Sequence, residues 1–354
     1  MSPDNASSAP RIDAPAGPKV SLVTGGAGFI GSHLVELLLD RGDRVTVIDD
    51  LSTGGRRNLP ASHEGLRFIE ARLDSALASF GGGERFDEIY HLAASVGVDR
   101  VLADPIASIE TNVEQTSALL RFAEAHGTTD AGAATLIASS SEVYGKSDKV
   151  PFSEEDDVVY GPTTMTRWSY AMGKAIDEHL ALAYHGQQRT PTSVVRFFNT
   201  VGPRQIGRYG MVLPRFVASA LAGEPLRVFG DGSQTRCFCD ARDAAAALPK
   251  LLGMDACRGR VFNLGSDRSI SIGELAALVI STLSSQSQVE LVPYDRAYPA
   301  GFEDLKQRQP DLSRVREAIG FEPKIPLERT IEDIAAFIAN AQTASTTPDP
   351  TTTA

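Results

Sequence analysis

A tyrosine and a lysine four positions apart form the first pattern in this chain that could carry out chemistry. Tyr170 and Lys174 lie in a stretch with helical periodicity, so the phenol and the ammonium would share one face of a helix. A neighbouring ammonium, helped by a cationic nicotinamide, lowers the pKa of a tyrosine from its usual value of about 10, which makes the phenolate accessible near neutral pH. Such a tyrosine can take a proton from a sugar or alcohol hydroxyl while a hydride leaves for a cofactor. We therefore interpret the pair as a catalytic dyad for alcohol oxidation.

Glycines near the beginning of the chain indicate which cofactor would accept that hydride. Gly25, Gly28 and Gly31 lie between a short apolar run and a helical stretch, in the order strand, turn, helix. This spacing permits a tight turn, a close approach of the backbone to a diphosphate, and close packing of the helix on the strand. Asp49 and Asp50 end the next apolar run, where a carboxylate can accept the adenosine ribose hydroxyls and repel the 2′-phosphate of NADP. We therefore expect NAD as the cofactor, with Asp49 as the better candidate of the two.

Two alternatives to this nucleotide site stay open. Arg56 and Arg57 follow the acidic pair closely and could hold the 2′-phosphate of NADP. A glycine-rich turn can also occur without any nucleotide. The strand, turn and helix context of the glycines favours a nucleotide site over that second alternative.

The elements that must position these residues follow from an alternation of short apolar runs with amphipathic stretches of helical length. Such an alternation implies right-handed crossovers and a parallel sheet with helices on both faces. The predicted fold is therefore α/β, a Rossmann-type doubly wound parallel sheet whose carboxyl strand ends carry the active site. The predicted strands cover residues 20–24, 44–49, 66–70, 88–92, 134–139 and 193–198, and the predicted helices cover residues 29–40, 106–125 and 167–185.

Composition along the chain divides it into four segments. Residues 1–18 are rich in Ser, Pro and Ala and lack an apolar signal core, so we expect a disordered leader rather than a targeting peptide. Residues 19–200 are predicted to form the nucleotide-binding Rossmann domain. Beyond them Pro and Gly become more frequent, and residues 201–341 are predicted to form mainly a smaller α/β domain for the substrate. The Thr- and Pro-rich residues 342–354 are expected to be a disordered tail.

Charge, hydropathy and cysteine content argue against several classes of protein. Lys and Arg number 34 against 45 Asp and Glu, and the net charge of -11 disfavours a general nucleic-acid binder, which needs a basic surface. No apolar run approaches the roughly 18 residues of a membrane span. The 3 cysteines, Cys237, Cys239 and Cys257, cannot all pair within one chain and do not have the spacing of a zinc site. We therefore expect a cytoplasmic enzyme with no metal centre.

Several longer motifs resemble a known family. They are TGGAGFIGSHL from Thr24, VIDDLSTG from Val47, HLAA from His91, SSSEVYG from Ser139, RFFNTVGPR from Arg196, VFGDGSQTR from Val228 and PDLS from Pro310. The chain is thereby similar to the extended short-chain dehydrogenases/reductases, the group of nucleotide-sugar epimerases, dehydratases and decarboxylases. The resemblance implies NAD, a UDP-sugar or similar substrate in the C-terminal domain, and a homodimer built on a helix bundle.

The resemblance also implies roles for individual residues. Ser140 would assist Tyr170 at the sugar hydroxyl, and arginines would suit the diphosphate as bidentate partners. At Arg72 the chain departs from the family, which commonly has an Asp there in contact with the adenine. The remaining implied cofactor contacts are Phe29, Ile30, Leu92, Ala93 and Ala94, and the implied substrate contacts are Ser141, Asn199, Arg204, Arg236 and Arg308.

Members of the family oxidise the sugar at C4 and then diverge in how they treat the ketone. A 4,6-dehydratase has an Asp–Glu pair where this chain has Ser141 and Glu142, and a 4-epimerase usually has small residues and no Glu there. The UDP-glucuronate decarboxylases carry Ser–Glu at this place and an arginine at the position of Arg308. The resemblance therefore favours an NAD-dependent UDP-glucuronate decarboxylase, with a 4-epimerase of UDP-glucose or UDP-glucuronate as the alternative. A catalytically silent NAD-binding regulator would be expected to lose Tyr170 or Lys174, and this chain keeps both.

The chemistry expected for a decarboxylase gives Glu142 and Arg308 possible roles. Once C4 is a ketone, the C5 carboxylate belongs to a β-keto acid, which loses CO₂ to an enolate without a metal. Arg308 could bind that carboxylate and then stabilise the enolate, while Glu142 could act at the same centre. Reduction at C4 would give UDP-xylose, or the 4-keto pentose would be released. Two non-catalytic alternatives stay open. Arg308 could be a solvated arginine beside a helix, and Glu142 could be a carboxylate that binds only backbone or water.

Overall fold

Parallel strands form the central layer of this computed structural model, which describes residues 18–94, 104–207, 211–293 and 307–346. The strands are β1 Val20–Thr24, β2 Arg44–Asp49, β3 Leu66–Glu70, β4 Glu88–His91, β5 Ala134–Ser140, β6 Thr192–Phe197, β7 Thr200–Val201, β8 Leu226–Phe229, β9 Thr235–Cys237, β10 Cys239–Asp240, β11 Arg260–Leu264, β12 Ser269–Ser271 and β13 Val289–Val292. The helices are α1 Phe29–Asp40, α2 Leu73–Ser79, α3 Pro105–Ala125, α4 Trp168–Gly186, α5 Val212–Ala222, α6 Ala241–Gly253, α7 Ile272–Thr282, α8 Ser313–Ile319 and α9 Leu327–Thr346.

The central sheet has seven strands in the order β11-β6-β5-β4-β1-β2-β3, and every pairing within it is parallel. The order reverses between β1 and β4, so the carboxyl ends of these two strands flank a crevice of the kind in which doubly wound sheets bind ligands. The architecture confirms the predicted Rossmann-type fold. Each strand predicted from the sequence is present, with ends that differ by at most one residue.

Helices cover both faces of the sheet because neighbouring residues on a strand point to opposite sides. In β1, Val23 packs with Leu34 of α1 and Leu248 of α6 in one buried cluster. Leu22 packs with Leu119 of α3 and Ala181 of α4 in a second cluster on the opposite face. The near-continuous burial along β1 and β2 follows from this double cover.

A smaller layer is built from α5, α7 and α9, whose apolar faces form a separate buried cluster that includes Phe216, Leu275 and Ile334. The short strand pairs β8–β13 and β9–β12 flank it. The chain is interleaved between the two layers, because residues 241–264 return to the large sheet: α6 packs on α1, and β11 pairs with β6. A division of the chain at residue 200 stays a prediction.

The two ends of the chain differ in how far they are described. The predicted leader is residues 1–18, and all of it except Pro18 lies outside the described residues. Helix α9 ends at Thr346 and so includes the first residues of the predicted disordered tail.

The described residues contain neither a membrane-spanning helix nor a cluster of metal ligands. No helix among them is long and apolar enough to cross a membrane. No group of three His, Cys, Asp or Glu side chains in the same residues could hold a metal ion.

Candidate active site

The glycine-rich turn between β1 and α1 is shaped by contacts that only glycine permits. Gly25 has φ +70°, and a Cβ there would lie 2.7 Å from the backbone nitrogen of Ala93. A Cβ on Gly31 would overlap the carbonyl oxygen of Gly25, so the first turn of α1 can pack on the loop only without a side chain. Gly28 is the N-cap of α1 and provides no side-chain cap, so the first N–H groups of the helix, beginning at Phe29 and Ile30, have no side-chain acceptor at the cap.

Asp49 at the end of β2 is fixed against this turn. Its carboxylate accepts hydrogen bonds from the backbone N–H of Ala27 at 2.9 Å and of Leu51 at 2.8 Å. Burial raises the pKa of Asp49, the two backbone hydrogen bonds oppose that effect, and the neighbouring Asp50 adds to it. Asp50 itself is exposed and accepts a hydrogen bond from Ser52 N. Of the two predicted ribose ligands, Asp49 is therefore the one held beside the glycine turn.

The arginines after β2 are oriented away from a phosphate-binding role. Arg56 donates hydrogen bonds to the carbonyl oxygens of Pro60 at 2.8 Å and Ala61 at 3.2 Å and stacks on Phe68. Arg57 lies over the ring of Phe337. With Arg56 engaged by backbone carbonyls and Asp49 beside the turn, the pocket fits the free ribose diol of NAD better than the 2′-phosphate of NADP.

The loop after β4 completes the nucleotide crevice. Leu92 N donates to Thr24 O at 3.1 Å, and Ala93 N donates to Thr24 Oγ1 at 3.3 Å, which places both residues against the glycine turn. Ala94 follows them as the last described residue before the gap. Arg72, where the family commonly has Asp, is exposed and lies 3.5 Å from Asp74, so it turns towards solvent rather than forming part of this loop.

The predicted dyad occupies the first two turns of α4, beside the carboxyl end of β5. Ser140 is the last residue of β5 and forms a side-chain hydrogen bond with Tyr170. Lys174 is almost fully buried, and its Nζ lies 3.1 Å from Oδ2 of Asp177, one turn further along the helix. The structure therefore brings Ser140 to Tyr170, places Lys174 one turn further along the same helix, and adds an acidic partner for the lysine.

The side chains of the protein alone do not lower the pKa of Tyr170. Burial raises the pKa of Tyr170, and the carboxylates of Glu142 and Asp177 raise it further, while the hydrogen bond with Ser140 only partly opposes them. The physical reason is that the Lys174 ammonium is paired with Asp177, whose negative charge offsets it. A lowered pKa at Tyr170 therefore requires the additional positive charge of an oxidised nicotinamide ring.

Three guanidinium groups surround Glu142 just beyond β5. Arg308 donates from Nη1 to Oε1 of Glu142, and Nη2 of Arg167 lies 3.8 Å from its Oε2. Burial raises the pKa of Glu142, but Arg308, Arg167 and Arg236 outweigh that effect, so its pKa is lowered and the carboxylate is ionised near neutral pH. Arg308 is not a solvated arginine and Glu142 does not bind backbone or water alone, because the side chain of Arg308 is only 11% exposed and contacts Glu142 directly.

The other predicted substrate contacts are distributed around this centre. Ser141 is buried in the 3₁₀ turn that carries Glu142. Asn199 has φ +31°, and its buried Nδ2 has no hydrogen-bond partner among the described residues. Arg236 donates a hydrogen bond to Thr235 O, and its positive charge helps to lower the pKa of Glu142. Arg204 instead pairs with Glu36 of α1, at 2.5 Å, which directs it to the nucleotide helix rather than to Glu142.

Sequence reasoning missed three residues that the tertiary structure places at the site. Arg167 precedes α4 and contacts Glu142, although its position three residues before Tyr170 was a usable signal. Asn58 donates from Nδ2 to Ala27 O at 2.9 Å and so anchors the glycine turn. Asp177 is the partner of Lys174, and a spacing of three residues within one helix is itself a sequence signal for such an ion pair.

Comparisons with known proteins agree with this geometry. The NAD dependent epimerase/dehydratase family matches residues 21–265. A UDP-N-acetyl-alpha-D-glucosaminuronate decarboxylase of Bacillus cytotoxicus is 38% identical over 317 residues, which cover 89% of this chain and 96% of that protein. The UDP-glucuronic acid decarboxylase 1 of Danio rerio is 34% identical and is matched over 90% of this chain and 72% of its own length.

Solved structures have the same fold. An epimerase from Methanothermobacter thermautotrophicus superposes with a TM-score of 0.82 at 26% identity, covering 93% of this chain and 94% of that one. The family match spans more than half of the chain, and the matched range contains the glycine turn and the Tyr170–Lys174 dyad. The expected cofactor and the expected enzyme class are thereby confirmed. The chain belongs to the NAD dependent epimerase/dehydratase family of extended short-chain dehydrogenases/reductases.

Proposed function

We propose that this enzyme is an NAD-dependent UDP-glucuronate decarboxylase that converts UDP-glucuronate to UDP-xylose and CO₂. The observation that carries the proposal is the cluster of Arg308, Arg167 and Arg236 around Glu142, next to Tyr170. Guanidinium groups bind carboxylates through paired N–H donors, so a cluster of this kind suits the carboxylate of a hexuronate. Nε of Arg308 is buried and has no hydrogen-bond partner among the described residues, which leaves it a donor for such a ligand.

In the first step Tyr170, as phenolate, takes the proton of the sugar C4 hydroxyl. Ser140 hydrogen-bonds to the Tyr170 side chain and stays within reach of the same hydroxyl. Bound NAD supplies the hydride acceptor for C4 and later returns the hydride. Asp49 and the glycine turn would hold the adenosine and diphosphate parts of that cofactor, together with the backbone of Leu92 and Ala93.

In the second step the C5–C6 bond of the 4-keto acid breaks. Its electron pair moves into the C4–C5 enolate while CO₂ leaves. Arg308 binds the carboxylate before this step and stabilises the enolate oxygen after it. Glu142 is ionised and remains beside the same guanidinium, where it orients Arg308 and a water that protonates C5. Reduction at C4 with return of the Tyr170 proton then completes UDP-xylose.

Two relatives bear names that differ at the sugar C2 substituent, one a glucuronate and one an N-acetylglucosaminuronate decarboxylase. Both names describe loss of CO₂ from a UDP-hexuronate, and the guanidinium cluster serves that step with either substrate. A 4-epimerase of UDP-glucose or UDP-glucuronate is the alternative. It needs only rotation of the ketose before hydride returns, so no bond to a carboxylate breaks and Glu142 and Arg308 have no part in the chemical step.

A proton NMR time course of the purified enzyme with NAD tests the proposal. UDP-glucuronate, UDP-N-acetylglucosaminuronate and UDP-glucose are supplied in separate tubes. Formation of UDP-xylose or its 4-keto precursor in the first tube is the expected result, and reaction in the second tube alone would move the substrate to the N-acetylated hexuronate. A galacto-configured product with all carbons retained would make the enzyme an epimerase.

We further propose a homodimer in the cytoplasm. Ile106 and Ile109 on α3 and Ile176 on α4 are exposed apolar side chains on two helices that pack together, and a second copy would cover them. Size-exclusion chromatography with light scattering should give a dimer, and Ile109→Glu with Ile176→Glu should give a monomer. Leu291→Glu, at an exposed apolar site on β13, is the control.

The three cysteines are unpaired and buried, which suits a reducing compartment, and cell fractionation tests that placement.

A further inference from the structure

Lys174 and Asp177 form a buried ion pair within α4. Nζ of Lys174 lies 3.1 Å from Oδ2 of Asp177, and the two side chains are 3% and 0% exposed. A buried charge of either sign is strongly unfavourable without its partner, so the position of each group fixes the position of the other. The placement of the catalytic ammonium is therefore set by a carboxylate that the reaction scheme does not otherwise use.

A series of buried polar groups continues from Asp177 to the nucleotide loop. The hydroxyl of Thr116 on α3 forms a hydrogen bond with Asp177 and lies 3.3 Å from Nε2 of His91 at the end of β4. Nδ1 of His91 lies 2.8 Å from Oγ1 of Thr24, and Thr24 Oγ1 accepts the N–H of Ala93. The side chains of Thr24, His91 and Thr116 are all at most 1% exposed.

The hydrogen bonds in this series have one consistent direction. Ala93 N–H can only donate, so Thr24 Oγ1 accepts from it, and the buried Thr24 hydroxyl finds its acceptor in Nδ1 of His91. His91 then carries its proton on Nε2 and donates to Thr116, whose hydroxyl donates to Asp177. Burial and the Lys174 ammonium lower the pKa of His91 to about 3, so the ring is neutral and does not shuttle protons.

We propose that Asp177 is a positioning residue that ties the Lys174 ammonium to the nucleotide-binding loop through Thr116, His91 and Thr24. The inference rests on the proposed role of Lys174 beside Tyr170. The series ends at Ala93, whose backbone lies against Gly25, so the glycine turn and the catalytic ammonium move as one unit. Adjustment of the loop around a nucleotide is thereby transmitted to the lysine.

The charged groups that the described residues place around this unit are mostly paired. Asp177 faces Lys174 and Glu178 on its own helix and Thr116 from α3. Glu178 is paired in a bidentate manner with Arg196 of β6, at 2.9 and 2.7 Å. Tyr170 faces Asp177 and, from the turn after β5, Glu142 and the hydroxyl of Ser140. Replacement of Asp177 by a neutral residue therefore removes one of the two carboxylates that raise the pKa of Tyr170.

The first test does not depend on any activity. Nitrogen-15 NMR of the His91 imidazole in the full-length protein should detect the neutral Nε2–H tautomer, with no titration between about pH 5 and 9. Thr116→Val should shift the Nε2 resonance because its hydrogen-bond acceptor is lost. An Nδ1–H tautomer, or a titration near the ordinary histidine pKa of about 6.5, would break the direction of the series and overturn the proposal.

The second test measures the pH dependence of kcat/KM for C4 oxidation. Thr116→Val should lower kcat roughly tenfold by releasing Asp177. It should not move the acidic limb of the profile, the range in which activity falls as the pH is lowered. Asp177→Asn should move that limb to lower pH by about one unit, because a negative charge near Tyr170 is gone. Asp130→Asn, which removes an exposed carboxylate, is the matched control for both.

The outcomes separate this inference from the proposed function. If both variants keep the wild-type rate and limb and lose only thermal stability, Asp177 is structural and the proposal fails. If the wild-type enzyme turns over none of the three UDP-sugars, the proposed function fails while the tautomer of His91 still decides the inference.

Discussion

Nη1 of Arg308 donates a hydrogen bond to Oε1 of Glu142, although the two residues are 166 positions apart in the chain. The segment that carries Arg308 is held next to β5 by backbone hydrogen bonds with Phe152: its N–H donates to Gln309 O, and its carbonyl accepts Asp311 N, both at 2.8 Å. Asn263 Nδ2 donates to Phe152 O at 2.9 Å and so ties the same segment to β11. The C-terminal part of the chain thus supplies a cation to the strand end where Tyr170 lies.

Glu142→Gln and Arg308→Ala should separate C4 oxidation from loss of CO₂. Each variant should still reduce NAD in a single turnover with UDP-glucuronate, because Tyr170 and Ser140 are unchanged. CO₂ release should fall by about 100-fold or more, because the group that binds the carboxylate and its partner is lost. Absorbance at the NADH band and trapped CO₂ report the two steps separately.

The control for these variants is Arg227→Ala, which breaks an exposed ion pair with Glu290 far along the chain. It should release CO₂ at the wild-type rate. Unchanged CO₂ release in Glu142→Gln and Arg308→Ala as well would contradict the decarboxylase role of the pair.

Ionisation of Tyr170 should depend on the cofactor. Burial, Glu142 and Asp177 raise the pKa of Tyr170, so in the protein without nucleotide its phenol should ionise above the ordinary value of about 10. Addition of NAD should lower that pKa, because a positive nicotinamide ring favours the phenolate. Activity is lost as the pH falls through the pKa of the bound state, since the base must be deprotonated. Ultraviolet titration of the wild type minus Tyr170→Phe measures both values, and a pKa that NAD does not change would argue against this role.

Asp49→Ala should weaken binding of NAD by about tenfold. The change removes a charged acceptor for the ribose hydroxyls and leaves the N–H groups of Ala27 and Leu51 without their acceptor. Discrimination against NADP should fall at the same time, because the carboxylate that repels a 2′-phosphate is gone. Isothermal titration with each nucleotide measures the two affinities. Asp50→Ala should have the smaller effect, and the reverse order would exchange the roles of the two residues.

The buried pair Arg196–Glu178 should be sensitive to the loss of one partner. Arg196→Met should lower the free energy of unfolding by about 3–5 kcal/mol, because it leaves the Glu178 carboxylate buried without its bidentate cation. Arg196→Met with Glu178→Leu should recover much of that loss. Urea unfolding at neutral pH measures both. Arg189→Met, which breaks an exposed pair with Glu124, should change stability little, and an equal loss there would contradict the argument from burial.

Asp240 should contribute stability that depends on pH. Burial raises its pKa, but hydrogen bonds from Arg242 and Thr330 outweigh that effect, so the pKa of Asp240 is lowered in the folded protein. Such a group stabilises above its unfolded pKa of about 3.9, and this stabilisation is lost as the pH falls through the folded value. Asp240→Asn should therefore destabilise the protein at pH 7, and by less at pH 3. A gap of equal size at both pH values would show that the charge is not responsible.

The sequence by itself determined six of the seven strands of the large sheet and the cofactor turn, but not strand β11. Strands such as β1 and β2 were predicted residue by residue, because apolar runs and glycine turns act within a few residues of the chain. The same local logic identified Gly25, Asp49 and the Tyr170–Lys174 spacing. The motifs then indicated the family, and the family match confirmed it.

Only the tertiary structure decided how the charges of the site are paired. Arg308 meets Glu142, Arg204 meets Glu36, and Lys174 is held by Asp177, so the same arginines and carboxylates acquire different tasks. Burial, Glu142 and Asp177 raise the pKa of Tyr170, which its spacing to Lys174 did not predict. The reason is physical, because burial and electrostatic interaction depend on distance in space. The groups that approach each other come from separate elements of the chain or from different turns of one helix.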